Sequence, residues 1–248
     1  QLAEIKRIVV EVARDCAVLN ADDMLCLKMA AHTDADKIAY FTMNPKHPLV
    51  RQHIQSGGVA VVLEEGINGQ MVTLYNEGMH IPLIWTHLIP ATMEGKAMHN
   101  VQNAMAAALT TFAMGITVEN IRQGLRTFDT SYFQVPGRMN VFDEHPFKVI
   151  LDYGHNPAAV RAMVGLVKRL DTNGQRLCVL AAPGDRRDED IAEIAKTAAS
   201  GQFSKIIVRR DDNPRGRGEL EVPHMLRDHL IEAGVDPACI EVNADEQE

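Results

Sequence analysis

From Arg138 onward, strand-like and helix-like segments alternate, and this pattern limits the possible folds more than any other feature. Short apolar runs at residues 139–142, 149–153, 177–182, 205–208 and 239–242 read as strands. Residues 157–170, 188–199 and 219–233 read as the helices between them. From residue 149 the apolar runs are continuous rather than alternating, as in strands buried on both faces of a parallel sheet. Such a chain predicts a doubly wound, Rossmann-like α/β domain.

The earlier residues mix the same two signals in a different order. A helix is expected over 2–12, a short strand over 16–20, a strand over 37–43 and a helix over 47–55. After the break at Gly57-Gly58, strands are expected over 59–63, 71–75 and 80–85. An Ala-rich helix follows over 99–114, then a helix capped by Thr117 that runs to Arg126. The boundary falls between Phe128 and Gly137, which predicts two domains, 1–130 and 131–248, both α/β.

Composition removes several classes of function. With 25 basic against 33 acidic side chains, net charge −8 and 5% aromatics, the chain lacks the basic stripe of a nucleic-acid surface. Its 46% hydrophobic content is too high for disorder. Its longest apolar runs fall short of the roughly 20 residues of a membrane helix. The four cysteines, Cys16, Cys26, Cys178 and Cys239, lie far apart with no CxxC or metal-site spacing. They read as buried thiols of a reducing, cytoplasmic compartment. The amphipathic start at Gln1 and the stop just after a strand-like run read as cuts within a longer protein. Self-association is left open.

In open α/β sheets, ligands bind at the carboxyl ends of strands. That edge holds Asp152-Tyr153-Gly154-His155-Asn156-Pro157, in which Asp152 ends a strand, Asn156 caps a helix and Pro157 opens it. The helix start offers amides to an anion; it can equally be no more than a helix start. Loops 182–190 and 209–217 leave the same edge and mix cations with carboxylates, as a binding loop or a solvated turn would. Arg138, after Pro136-Gly137 at the domain junction, suits a phosphate or a surface ion pair. On the 99–114 helix, Val101, Met105, Ala108 and Phe112 form an apolar stripe, while Asn100 and Asn103 share another face. Two amides three residues apart suit a purine edge, although most such pairs are simply solvated. No GxxxxGK[ST] occurs, so these residues contain no P-loop.

Taken in order, Leu19-Asn20-Ala21-Asp22-Asp23, Gly95 through His99-Asn100-Val101-Gln102-Asn103-Ala104, Pro136-Gly137-Arg138 and Asp152 through Pro157 resemble the Mur ligase family. These are three-domain, ATP-dependent, amide-forming ligases. The resemblance implies that 1–130 is the latter part of the central ATPase domain. Residues 131–248 would then be most of the Rossmann-like C-terminal domain, truncated at its end. It also implies a P-loop upstream of residue 1, a last strand and helix beyond residue 248, and no turnover by the chain alone. Pro183 through Asp190 and Arg215-Gly216-Arg217-Gly218-Glu219 look most like the Mur-ligase-like half of the cyanophycin synthetases, the half credited with adding arginine to aspartate side chains.

Carried over by position, the resemblance implies that Asn100 and Asn103 contact the adenine of ATP and Asp152 the ribose. Arg138 would reach the phosphates, with His155 and Asn156 on the same nucleotide edge; Arg138 and His155 are the catalytic candidates. Lys6 falls near a carbamylated lysine that supports Mg²⁺ in related ligases. Asp212-Asn213-Pro214-Arg215 matches the motif with which the diaminopimelate-adding ligase grips its amino acid, and Arg186 matches another carboxylate-binding arginine. The partners implied are a small amino acid and a polymer or peptide acceptor. The alternatives are a cell-wall ligase adding diaminopimelate to a muramyl peptide, and a non-catalytic nucleotide-binding module.

Overall fold

The computed structural model describes residues 2–170 and 174–244; Gln1 and the last four residues, where the chain ends were expected, lie outside the described residues. The chain divides into two compact units, Gln1–Gln134 and Val135–Glu248.

The first unit is built on a five-stranded sheet in the order β1-β2-β3-β4-β5. Helix α1 (Leu2–Glu11) precedes β1 (Cys16–Asn20), and α2 (Met24–Met29) leads to β2 (Lys37–Thr42). Helix α3 (Pro48–Gln55) then crosses to β3 (Val59–Gly66). These first three strands are parallel. β4 (Gly69–Asn76) and β5 (Met79–Trp85) follow as antiparallel neighbours, because their tight connections leave no room for a crossover. Helices α4 (Met98–Ala113) and α5 (Val118–Thr127) complete the unit.

Alternation along β3 shows how the sheet is used. Val61 and Leu63 join Val72, Leu74 and the α4 residues Val101, Met105 and Leu109 in one core. Ala60 and Val62 point the other way, to Leu19, Tyr40, Met29 of α2 and Val50 of α3. Both faces are therefore covered. Helix α2 had no counterpart in the sequence reading. It is short, and its signal is a cap: Asp23 accepts the backbone N–H groups of Leu25 and Cys26 at 2.7 and 3.3 Å.

In the second unit, β8 (Leu177–Leu180), β9 (Lys205–Arg209) and β10 (Ile240–Asn243) form a parallel sheet in the order β10-β9-β8. Helices α7 (Asp188–Ala199) and α8 (Glu221–Glu232) are the crossovers, giving a Rossmann-like α/β unit. Its core joins Leu180, Ile206 and Val208 to Val160 and Val164 of α6 (Pro157–Arg169), Ile191 and Ile194 of α7, and Leu226 and Leu230 of α8. On the opposite face Leu177 and Val179 are 58% and 57% exposed.

One expected parallel strand is not one. β7 (Val149–Leu151) pairs antiparallel with β6 (Asn140–Phe142), Asn140 opposite Leu151, and Val149 and Leu151 stay partly exposed. The connection from Phe142 to Val149 is of hairpin length, well short of the dozen or so residues a parallel crossover needs. A second correction concerns the cysteines. All four are free but only partly buried. Cys16, for example, opens β1 at the edge of its sheet.

Among the described residues, no helix is long and apolar enough to cross a membrane.

Candidate nucleotide and amino-acid sites

In the second unit the loop before β6 folds back onto the segment after β7. The Tyr153 N–H donates to the Gly137 carbonyl at 2.7 Å, and the Met139 N–H donates to Asp152 Oδ2 at 3.0 Å. Asn140, which is 1% exposed, accepts the Gly137 N–H at 2.7 Å and donates to the Val135 carbonyl at 2.9 Å. Gly137 (φ 71°) and Met139 (φ 50°) are both left-handed, which turns the chain sharply around Arg138. The Arg138 side chain is exposed, with its guanidinium carbon 5.5 Å from the centre of the Tyr153 ring.

Asp152, Tyr153, His155 and Asn156 stand in the same short segment. His155 Nδ1 lies 3.0 Å from the Tyr153 carbonyl oxygen, and its ring is 5.3 Å from the Tyr153 ring. Gly154 allows this crowding: a β-carbon there would stand 3.1 Å from Asp152 Oδ1. Asn156 Oδ1 accepts the Ala159 N–H at 3.0 Å, so this oxygen is committed to capping α6. The structure thus groups Arg138, Asp152, His155 and Asn156. An exposed cation, a carboxylate and a helix N-terminus suit the phosphate and ribose of a nucleotide.

The loops after β8 and β9 meet at the carboxyl ends of those strands. Arg215 Nη1 donates to Asp185 Oδ2 at 2.8 Å, and this guanidinium holds the Asp185 carboxyl below its ordinary range. Arg215 is itself left-handed (φ 50°), after a turn in which Asn213 Oδ1 accepts its N–H at 2.9 Å. Asp212 sits apart from this pair, 3.9 Å from Arg209 and largely exposed. Arg186 is only partly exposed, and its Nε is buried with no hydrogen-bond partner. A buried N–H left unpaired costs free energy, so this side chain is held with one donor uncompensated. The sequence reading named Arg186, Asp212, Asn213 and Arg215 but gave Asp185 no role, because its pairing with Arg215, 30 residues on, has no signal in the sequence. It also gave Arg217 no role.

In the first unit, Asn100 Nδ2 donates to the Ala91 carbonyl at 2.7 Å, and Asn103 Nδ2 donates to Asn100 Oδ1 at 3.1 Å. Val101, Met105 and Ala108 point to the core, which leaves the two amides together on another face of α4. Lys6 is exposed on α1. No group of three or more His, Cys, Asp or Glu side chains among the described residues could hold a metal ion.

Comparison with known proteins agrees with this architecture. Residues 137–244 match the family model for the Mur ligase, glutamate ligase domain. A cyanophycin synthetase of Trichormus variabilis is 48% identical over 225 residues, which cover 88% of this chain and 24% of that protein. A UDP-N-acetylmuramoyl-L-alanyl-D-glutamate–2,6-diaminopimelate ligase of Solibacter usitatus is 29% identical over 216 residues, 87% of this chain and 38% of that one. The chain spans about a quarter of the length of the cyanophycin synthetases it matches. Among solved structures, the UDP-N-acetylmuramoylalanyl-D-glutamyl-2,6-diaminopimelate–D-alanyl-D-alanyl ligase of Acinetobacter baumannii shares the fold. Its TM-score is 0.62 at 17% identity, over 99% of this chain and 46% of that one. By these matches residues 137–244 are a Mur ligase, glutamate ligase domain, and the chain is similar over most of its length to cyanophycin synthetases.

Proposed function

We propose that this chain is part of an ATP-dependent amide ligase of the cyanophycin synthetase kind. In this reading it adds arginine to the side-chain carboxylate of an aspartate polymer through an acyl-phosphate. The single observation that carries it is the pair of arginine-bearing loops that meet at the carboxyl ends of β8 and β9 through the Arg215–Asp185 pair. The similarity to cyanophycin synthetases supports the choice of amino acid. The two units would be the latter part of the central ATPase domain and most of the C-terminal domain.

ATP, when bound, supplies the phosphoryl group that activates the acceptor carboxylate. Asn100 and Asn103 would recognise the adenine edge by amide hydrogen bonds. Asp152 would accept from the ribose hydroxyls through the oxygen that the Met139 N–H leaves free. Arg138 would offset charge on the transferring phosphoryl group, as guanidinium groups do in such reactions. His155 would line the same nucleotide edge, and Asn156 holds the α6 N-terminus in place. Arg186 and Arg215 would receive the α-carboxylate of the incoming amino acid, orienting its amine toward the acyl-phosphate. Magnesium and a role for Lys6 belong to the proposal as family expectations, and no step is assigned to either.

The Asp212-Asn213-Pro214-Arg215 motif favours a second reading, a ligase that adds diaminopimelate to a muramyl peptide, as the Solibacter usitatus relative is named for. A nucleotide-binding module without ligase activity is the third.

The test is phosphate release by the complete gene product with ATP, Mg²⁺ and an aspartate-backbone primer, with and without arginine. Stimulation by arginine is expected, with a loss of about tenfold or more in Arg138→Ala, the scale of one hydrogen bond to a charged group. A response only to diaminopimelate with a muramyl peptide would transfer the chain to the second reading. Silence with both substrates would leave the binding module.

A further inference from the structure

Arg217 follows Arg215 by two residues, yet its side chain is used quite differently. Its Nε donates to the Gly184 carbonyl at 2.8 Å, and its Nη2 donates to the Arg186 carbonyl at 2.9 Å and to Asp188 Oδ1 at 2.6 Å. Its Nη1 donates to Glu221 Oε1 at 2.9 Å and faces the Met225 sulfur at 3.5 Å. A guanidinium has five N–H donors in a rigid planar fork, and here every one is directed at the protein. None remains for a ligand. The side chain is only 20% exposed.

The acceptors show what this arrangement holds. Gly184 and Arg186 flank Asp185, the residue that pairs with Arg215. Arg217 therefore grips the β8 loop on both sides of Asp185, from a position in the β9 loop. A second feature makes the same contact from the other direction. A β-carbon on Gly184 would stand 2.1 Å from the Pro214 carbonyl oxygen, so the two loops touch backbone to backbone. The side chains of Arg186 and Arg215 leave from these two loops.

We infer that Arg217 is a positioning residue. It locks the loop bearing Arg186 against the loop bearing Arg215, so that two arginines can serve one carboxylate. The inference rests on the ligase reading above, in which that carboxylate belongs to the incoming amino acid. A lysine could supply the charge but has no planar fork to reach carbonyls and carboxylates on two elements at once.

The experiment is steady-state kinetics of the complete gene product with Arg217→Ala and Arg217→Lys. Amide hydrogen exchange over residues 184–187 and 213–216 is followed in parallel. Arg217→Ala is expected to raise the amino-acid KM about tenfold or more, to change the ATP KM less than about twofold, and to speed exchange in both loops. Arg217→Lys is expected to leave the amino-acid KM raised. An unchanged amino-acid KM, an equal rise in both KM values, or restoration by lysine would each overturn the inference. If the unaltered protein shows no amino-acid-dependent turnover, the ligase reading fails instead. Hydrogen exchange then decides: faster exchange in Arg217→Ala upholds the loop staple, and unchanged exchange removes it.

Discussion

A β-carbon on Gly184 meets the main-chain carbonyl of Pro214, which cannot swing aside as a side chain can. Gly184→Ala is therefore expected to push the two loops apart and destabilise the second unit by about 1–3 kcal/mol, read from urea unfolding by circular dichroism. Gly58 is the contrast. There the β-carbon would meet the His53 ring at 2.3 Å, but that ring belongs to a side chain that can rotate off Tyr40. Gly58→Ala should cost less than Gly184→Ala in the same assay, and a larger loss would contradict this comparison. At this scale much of the site was legible. Asp152 and His155 were marked by their place after an apolar run and Arg138 by its place at the domain junction after Pro136-Gly137, and the structure brings the two segments together. The partners of Arg217 were not legible, because its acceptors come from the loop after β8 and from α8 and only the folded chain brings them to one point.

Caps and cross-strand ties account for the stability of individual elements. Asn156 Oδ1 satisfies one of the open N–H groups of α6, so Asn156→Ala should cost about 1 kcal/mol. A nucleotide contact through the same side chain would add a rise in the ATP KM. In the first unit, Glu64 of β3 binds its neighbours through Tyr75 OH at 2.5 Å, Thr73 Oγ1 at 2.7 Å and His80 Nε2 at 2.9 Å. Burial pushes the Glu64 carboxyl up, but these three donors outweigh it and hold the group below the ordinary glutamate range. A depressed folded pKa contributes stability above the unfolded pKa, and that contribution is lost as pH falls through the folded value. The first unit should therefore lose stability as pH falls below the ordinary glutamate range and through the depressed pKa of Glu64. Glu64→Gln should flatten that part of the acid limb in pH-dependent thermal unfolding, and an unaltered limb would remove Glu64 as its source. Most elements were readable from periodicity and caps, including α4, α5 and α6. β7 was misassigned because a short run such as Val149-Ile150-Leu151 has no period, and pairing direction depends on connection length instead.

The two units have separate cores, one built around Leu74 and Met105, the other around Ile194 and Leu226. Leu74 and Leu226 are both 0% exposed, so replacing either by alanine should cost about 2–5 kcal/mol. Two thermal transitions are expected, with Leu226→Ala lowering one and Leu74→Ala the other. A single transition moved equally by both substitutions would mean the units unfold as one. Sequence by itself determined the α/β class, the succession of strands and helices, and which loops sit at the carboxyl ends of strands. These follow from local periodicity, caps and turn residues, and from the sidedness that parallel pairing imposes. Tertiary structure alone decided that β7 turns back on β6, that Arg215 pairs with Asp185, that Arg217 is spent on two loops and a helix, and that the Arg186 Nε is left without an acceptor. The contacts of Arg215 and Arg217 join groups about 30 residues apart in the chain, and hydrogen-bond geometry over that separation exists only once the backbone has closed around it.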